Sequence, residues 1–182
     1  MKKIRIVHYL NQFFGQIGGE EYAYEPLSLI ENAVGPGLGF MQALGSDYEI
    51  VATIICGDNY ITENADKVVN EVLDIVEKYK PDLFIAGPAF NAGRYGPACG
   101  LLCSKVRGKF NIPAITGMYE ENPGVEMYKK DCYIVNTKNS VAGMKKAIVD
   151  MTNLAKKIVK GDETPNPKID NYIARGFKKN VF

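Results

Sequence analysis

The chain has 182 residues, of which 46% are hydrophobic and 24% are charged. This balance is typical of one globular domain with a substantial core, and it excludes a wholly disordered chain. A formal net charge of +1 gives no bulk attraction to nucleic acid or to an anionic membrane, and the apolar stretches are well short of the ~20 residues of a spanning helix. We therefore expect a cytoplasmic protein with no nucleic-acid and no membrane partner.

Apolar residues repeat along the chain with two alternating periods, one typical of strands and one typical of helices. Residues 10–34 show neither period, and so long a connection is typical of a functional loop. Strands are predicted at residues 4–9, 48–55, 83–86, 112–116 and 131–135, and helices at 38–44, 62–79, 98–106 and 140–160.

This alternation predicts a doubly wound α/β fold, Rossmann-like or flavodoxin-like. We expect a mostly parallel sheet of four or five strands with helices on both faces. Near-continuous apolar strands indicate burial on both faces, which predicts that Val7, Ile54, Ile85 and Ile115 are buried. Residues 1–160 are predicted to form a single domain, and residues 161–182 a linker or tail that leads to a downstream domain absent from this chain.

Polar loops follow the predicted strands, and in a doubly wound sheet such loops gather at the carboxyl edge, where ligands bind. Carboxylates there could attract an amine, while Arg94 could hold a carboxylate with two parallel hydrogen bonds. Loops that include Gln12, Gly18–Gly19, Cys56–Asn59 and Tyr95 belong to the same edge. The residues predicted to bind a substrate are His8, Asn11, Glu20, Glu21, Asn91, Arg94, Tyr119, Glu120 and Glu121.

We expect Glu20, Glu21, Arg94, Tyr119 and Glu120 to converge on one crevice, with His8 near its floor. The alternative for each acidic side chain is a solvated loop, a helix cap or a structural ion-pair network. His8, the one histidine of the chain, is either a structural hydrogen-bonding group or an acid or base.

Four cysteines are present without CxxC or zinc-ribbon spacing, so core packing is the first interpretation and no metal site is predicted. Cys99 and Cys103 would share a helix face, which leaves open a redox enzyme that uses this pair. That alternative requires exposed thiols with a lowered pKa. Neither GxGxxG nor GxxxxGK[ST] occurs, so the sequence does not indicate a nucleotide site.

Several long blocks carry a family resemblance, among them IRIVHYLNQFFGQIGGEE, ATIICGDNYITEN, KPDLFIAGPAFNAGRYGPACG and IPAITGMYEENPGVEMYKKD. They resemble the amino-terminal region of the selenoprotein B subunit of glycine, sarcosine and betaine reductases. The resemblance implies anaerobic amino-acid fermentation by an oxidoreductase. In that family component B binds the amine through a pyruvoyl group on a partner subunit, and a selenocysteine cleaves the C–N bond. A carboxymethyl group then passes to selenoprotein A, and component C releases acetyl phosphate.

The family's selenocysteine lies downstream of the matched region, so the resemblance implies no cofactor within this chain and no C–N cleavage by this chain alone. It also implies a complex with the pyruvoyl-containing subunit of component B and with selenoprotein A. The chain is then either an amino-terminal domain that contributes a substrate pocket or a docking surface, or a non-catalytic paralogue that binds an amine or amino acid. The residues do not distinguish glycine from sarcosine or betaine.

An apolar surface is predicted in the loop after the first strand. Phe13, Phe14 and Ile17 lie among glycines that argue against deep burial. We expect them to dock a partner or a second copy of the chain, giving an oligomer.

Overall fold

The computed structural model describes residues 2–176, which form a sheet with helices on both faces. The strands are β1 (Ile4–Asn11), β2 (Ser28–Ile30), β3 (Tyr48–Cys56), β4 (Leu83–Phe90), β5 (Ala114–Met118) and β6 (Tyr133–Asn136). The helices are α1 (Pro36–Leu44), α2 (Asp58–Glu63), α3 (Ala65–Tyr79), α4 (Tyr95–Phe110), α5 (Pro123–Tyr128) and α6 (Met144–Lys160). Short 3₁₀ turns lie at Glu20–Tyr22 and Val141–Gly143.

The strand order is β2-β3-β1-β4-β5-β6, and every pair is parallel except β2 with β3. Taken alone, the parallel strands follow the flavodoxin-like order 2-1-3-4-5. The predicted α/β class is therefore confirmed. The sheet has six strands in the described part of the chain because β2, a three-residue antiparallel edge strand, lies in the loop that shows no period.

Two hydrophobic clusters, one on each face of the sheet, hold the layers together. On one face α1 and α6 cover the side chains that include Ile6, Ile85 and Ile115. On the other face α3 and α4 cover those that include Val7 and Ile54. The four residues predicted to be buried are all at most 1% exposed, so that prediction is confirmed.

The predicted helix at 62–79 is two helices, because the chain breaks at Asn64, whose φ of −129° is not helical. Within residues 2–176, no helix combines the length and the apolar character that crossing a membrane would require.

The segment after α6 packs back on the edge of the sheet. The Ile173 N–H donates to the Ile134 carbonyl at 2.8 Å, and the Asp170 carboxylate accepts from Lys157 Nζ at 3.0 Å. The interpretation of 161–182 as a connection to a further domain stays a prediction, and residues 177–182 lie outside the described residues.

Candidate functional site

The crevice of the fold lies at the carboxyl ends of β1 and β4. These strands are neighbours, but the chain leaves β1 towards α1 on one face and leaves β4 towards α4 on the other. Ligands bind at such reversals of strand order in open α/β sheets. A cavity of about 510 Å³ lies here, and its wall includes Asn11, Phe14, Glu20, Asp58, Arg94 and Tyr95.

Arg94 joins three separate segments at the mouth of the cavity. It precedes α4, and its Nη1 donates to Asn59 Oδ1 at 2.5 Å. Its Nη2 pairs with the carboxylate of Glu20, which comes from the loop after β1. The side chains of Arg94 and Glu20 are 37% and 74% exposed, so solvent weakens the pair. The Arg94–Glu20 pair therefore contributes little to stability.

Asp58, directly after β3, supplies a buried carboxylate to the same cavity. Its Oδ2 accepts from Asn11 Nδ2 at 3.0 Å, and its main-chain N–H donates to Gln12 Oε1 at 3.0 Å. Burial raises the pKa of Asp58, although the Asn11 hydrogen bond and the charge of Arg94 act in the opposite direction. Asp58 lies in the predicted edge loop Cys56–Asn59 but is not among the nine residues predicted to bind a substrate, although its position after an apolar strand was an available signal.

Aromatic rings form an adjoining part of the wall. Phe14 stacks on Tyr95 with ring centroids 5.8 Å apart and an interplanar angle of 25°. Phe13 meets Phe14 edge to face and is 58% exposed, whereas Phe14 and Ile17 are half-buried. Phe13 therefore offers the largest exposed apolar face of the predicted docking surface, and docking itself stays a prediction.

His8 lies on the opposite face of the sheet from Tyr9 and the α4 helix. Its Nε2 contacts the Gly87 carbonyl at 2.9 Å, and its ring packs edge to face on Phe40 of α1. Burial lowers the pKa of His8 to about 4, so the ring is neutral at pH 7. This environment fits the interpretation of His8 as a structural hydrogen-bonding group. It does not fit the prediction that His8 lies near the floor of the cavity.

The remaining predicted residues lie around the same edge of the sheet. The Glu21 carboxylate accepts from the Gly19 N–H at 3.3 Å. Tyr119 is tied to β4 by its N–H, which donates to the Phe90 carbonyl at 2.9 Å. Asn91, Glu120 and Glu121 are exposed, and like Glu21 and Tyr119 they are not among the described residues that line the cavity.

The structure thus brings Asn11, Glu20 and Arg94 together. Binding of a substrate by any of the nine predicted residues stays a prediction. Among residues 2–176, no three His, Cys, Asp or Glu side chains come together as a metal site.

The cysteines do not meet the requirements of a redox site. All four are buried, and none forms a disulfide within the described chain. Burial raises the pKa of Cys56 to about 12 and raises the pKa of Cys99 and Cys103 well above the ordinary range. Because the thiolate is the reactive form, a redox enzyme based on Cys99 and Cys103 is not supported.

Comparison with known proteins gives a consistent result along the whole chain. The family described as glycine/sarcosine/betaine reductase selenoprotein B matches residues 3–182. The chain is 51% identical over its full length to the glycine reductase complex component B subunit gamma of Carboxydothermus hydrogenoformans. It is 47% identical over its full length to the sarcosine reductase complex component B subunit beta of Peptoclostridium acidaminophilum. It is 41% identical over 97% of its length to the betaine reductase complex component B subunit beta of the same organism.

These relatives are longer than the chain. The chain spans 42% of the first two and 40% of the third. No solved structure matches the chain.

Proposed function

Since the chain belongs to the glycine/sarcosine/betaine reductase selenoprotein B family, we propose that it forms the substrate-pocket part of a component B subunit in the reductive C–N cleavage of an amine. The observation that carries this proposal is similarity over almost the entire chain to relatives named for glycine, sarcosine and betaine reductases. A match of this extent covers the whole of the described fold, including the cavity between β1 and β4.

In this proposal the cavity holds the amino-acid substrate, and Arg94 holds the carboxylate of that substrate. Arg94 is suited to this role because its guanidinium is planar and can donate two parallel hydrogen bonds to a carboxylate. In the structure the Glu20 carboxylate pairs with Nη2, one of the guanidinium nitrogens of Arg94. Because Glu20 is largely exposed, the substrate carboxylate can replace it without leaving a buried charge unpaired.

Bond cleavage is assigned to groups outside this chain. In this proposal the selenocysteine lies downstream of this chain and the pyruvoyl group lies on a partner subunit, as the family resemblance implies. The buried Cys99 and Cys103 thiols, whose pKa values are raised by burial, do not fit the reactive role. The part of this chain is therefore to bind and orient the substrate.

Assembly follows from the same proposal. The chain would act in the cytoplasm as part of an oligomeric complex with the pyruvoyl-containing subunit and selenoprotein A. Phe13 supports a docking role, because it is an exposed aromatic side chain that also lines the cavity. A partner that covers Phe13 would thereby close the mouth of the site.

The proposal is tested in the full-length subunit assembled with its partners. Arg94→Ala should lower kcat/KM for amine-dependent acetyl phosphate formation by about 10- to 100-fold, mainly by raising KM, because a charge-assisted hydrogen-bond pair is lost. The melting temperature should change little. Arg107→Ala, which removes an exposed arginine in the last turn of α4, is the matched control.

Unchanged turnover in Arg94→Ala would overturn the proposed role of the cavity. The alternative, a non-catalytic module that binds an amine or amino acid, predicts that the chain binds the amine but that Arg94→Ala leaves the turnover of the complex unaltered.

A further inference from the structure

The wall of the cavity contains a carboxylate that is only partly satisfied. Asp58 is 4% exposed, and its Oδ2 is held by Asn11 at 3.0 Å. Its Oδ1 is buried and has no hydrogen-bond partner among residues 2–176. A buried carboxylate oxygen without a donor costs free energy. Asp58 is thus fixed on one side while its other oxygen lacks a donor.

The two hydrogen bonds of Asn11 fix the orientation of its amide. Asn11 Oδ1 accepts from the Phe14 N–H at 2.9 Å, so Nδ2 is the group that faces Asp58. Gln12 restrains the same aspartate through the main chain, where its Oε1 accepts the Asp58 N–H. Both supporting side chains are at most 5% exposed. The carboxylate is therefore preorganised, and an N–H donor with a positive charge would satisfy both its free oxygen and its charge.

We propose that Asp58 binds the protonated amine of the substrate, so that the cavity selects ammonium groups that carry N–H. This inference rests on the proposed function, in which Arg94 binds the carboxylate of the amino-acid substrate. It adds that Asp58 binds the nitrogen of the same substrate. Primary and secondary ammonium groups can donate a hydrogen bond to the Asp58 carboxylate, whereas a quaternary nitrogen cannot. The cavity should therefore prefer glycine and sarcosine over betaine.

Isothermal titration calorimetry of the 182-residue chain with glycine, sarcosine and betaine tests this proposal. Asp58→Asn keeps the size of the side chain and an oxygen for Asn11 but removes the charge. We expect it to weaken glycine and sarcosine binding by about 10- to 100-fold and to weaken betaine binding least. Asp74→Asn, on the exposed face of α3, is the control for loss of one negative charge and should bind as the unmodified chain does.

A second measurement does not depend on folding of the variant. Methylammonium should compete with glycine for the unmodified chain, and tetramethylammonium should not. Equal glycine affinity of Asp58→Asn and the unmodified chain, or equal competition by the two cations, would overturn the role of Asp58 while leaving the proposed pocket in place. Failure of the unmodified chain to bind any of the three amines would overturn the pocket and the role of Asp58 together.

Discussion

The Asn122 side-chain amide donates to the main-chain carbonyl of Phe90 at 2.9 Å. Phe90 ends β4 with a φ of 51°, a left-handed conformation that is uncommon for a residue other than glycine. The same amide donates to the Ala92 carbonyl at 3.0 Å, and Asn122 Oδ1 caps α5 by accepting from the Gly124 N–H at 2.9 Å. One buried side chain thus joins the loop after β5 to the loop that carries Arg94.

Asn122→Ala should lower the free energy of unfolding by about 1–3 kcal/mol, because it removes a helix cap and one of the two donors to each of the Phe90 and Ala92 carbonyls. Urea denaturation measures the change. Asn139→Ala, at an exposed loop position, is the matched control and should shift stability by less than about 0.5 kcal/mol. An equal effect of the two substitutions would contradict the bridging role of Asn122.

Much of the fold could be predicted from the sequence because its central strands are buried on both faces. Apolar runs such as 48–55 mark those strands directly, and their alternation with helices fixes a parallel, doubly wound sheet. The edge strand β2 could not be found in the same way. Its three residues are all exposed, so no pattern of burial distinguishes them from a loop.

The site was harder to predict because its geometry depends on contacts distant in sequence. Both faces of β1 are buried, because His8 and the neighbouring Tyr9 point to opposite faces and neither is exposed. The sequence pattern therefore does not show which face of the sheet His8 occupies. The sequence shows Asp58 only as part of a polar loop after an apolar strand. Its partners Asn11 and Gln12 are 47 and 46 residues away, so only the folded chain shows that its carboxylate is buried.

Two glycines of α4 should respond in opposite ways to substitution by alanine. A Cβ at Gly100 would lie 2.3 Å from Tyr128 Cδ2, so Gly100→Ala should destabilise the fold by about 1–3 kcal/mol through overpacking against α5. A Cβ at Gly108 would meet no heavy atom within 4 Å in the described part of the chain. Gly108→Ala should therefore stabilise by about 0.5–1 kcal/mol through helix propensity. Urea denaturation of both variants checks this, and a stabilised Gly100→Ala would show that α5 does not pack as described.

The four cysteines should be unreactive in the native fold. Burial makes all four thiols inaccessible. It also raises the pKa of Cys56, Cys99 and Cys103, and the thiolate is the form that reacts with disulfide reagents. Titration with such a reagent should label no thiol rapidly in native buffer and four thiols in denaturant. Rapid labelling of one or two thiols without denaturant would contradict the buried positions and restore the redox alternative.

His8 should make stability depend on pH in one window. Its pKa is about 4 in the fold and about 6.5 when unfolded, so the unfolded chain takes up a proton first as the pH falls. The contribution of His8 to stability is complete above pH 6.5 and is lost as the pH falls towards 4, by about 3 kcal/mol in total. Burial raises the pKa of Asp58, and a raised carboxyl pKa changes stability with pH in the opposite direction. The effect of His8 must therefore be measured as the difference in stability between the unmodified protein and a variant without the imidazole.

His8→Leu removes the one imidazole of the chain and leaves Asp58 in place. Urea unfolding at intervals from pH 7.5 to 4.5 should show that the unmodified protein loses stability relative to His8→Leu as the pH falls. A difference that stays constant over this range would mean that His8 is not buried in its neutral form.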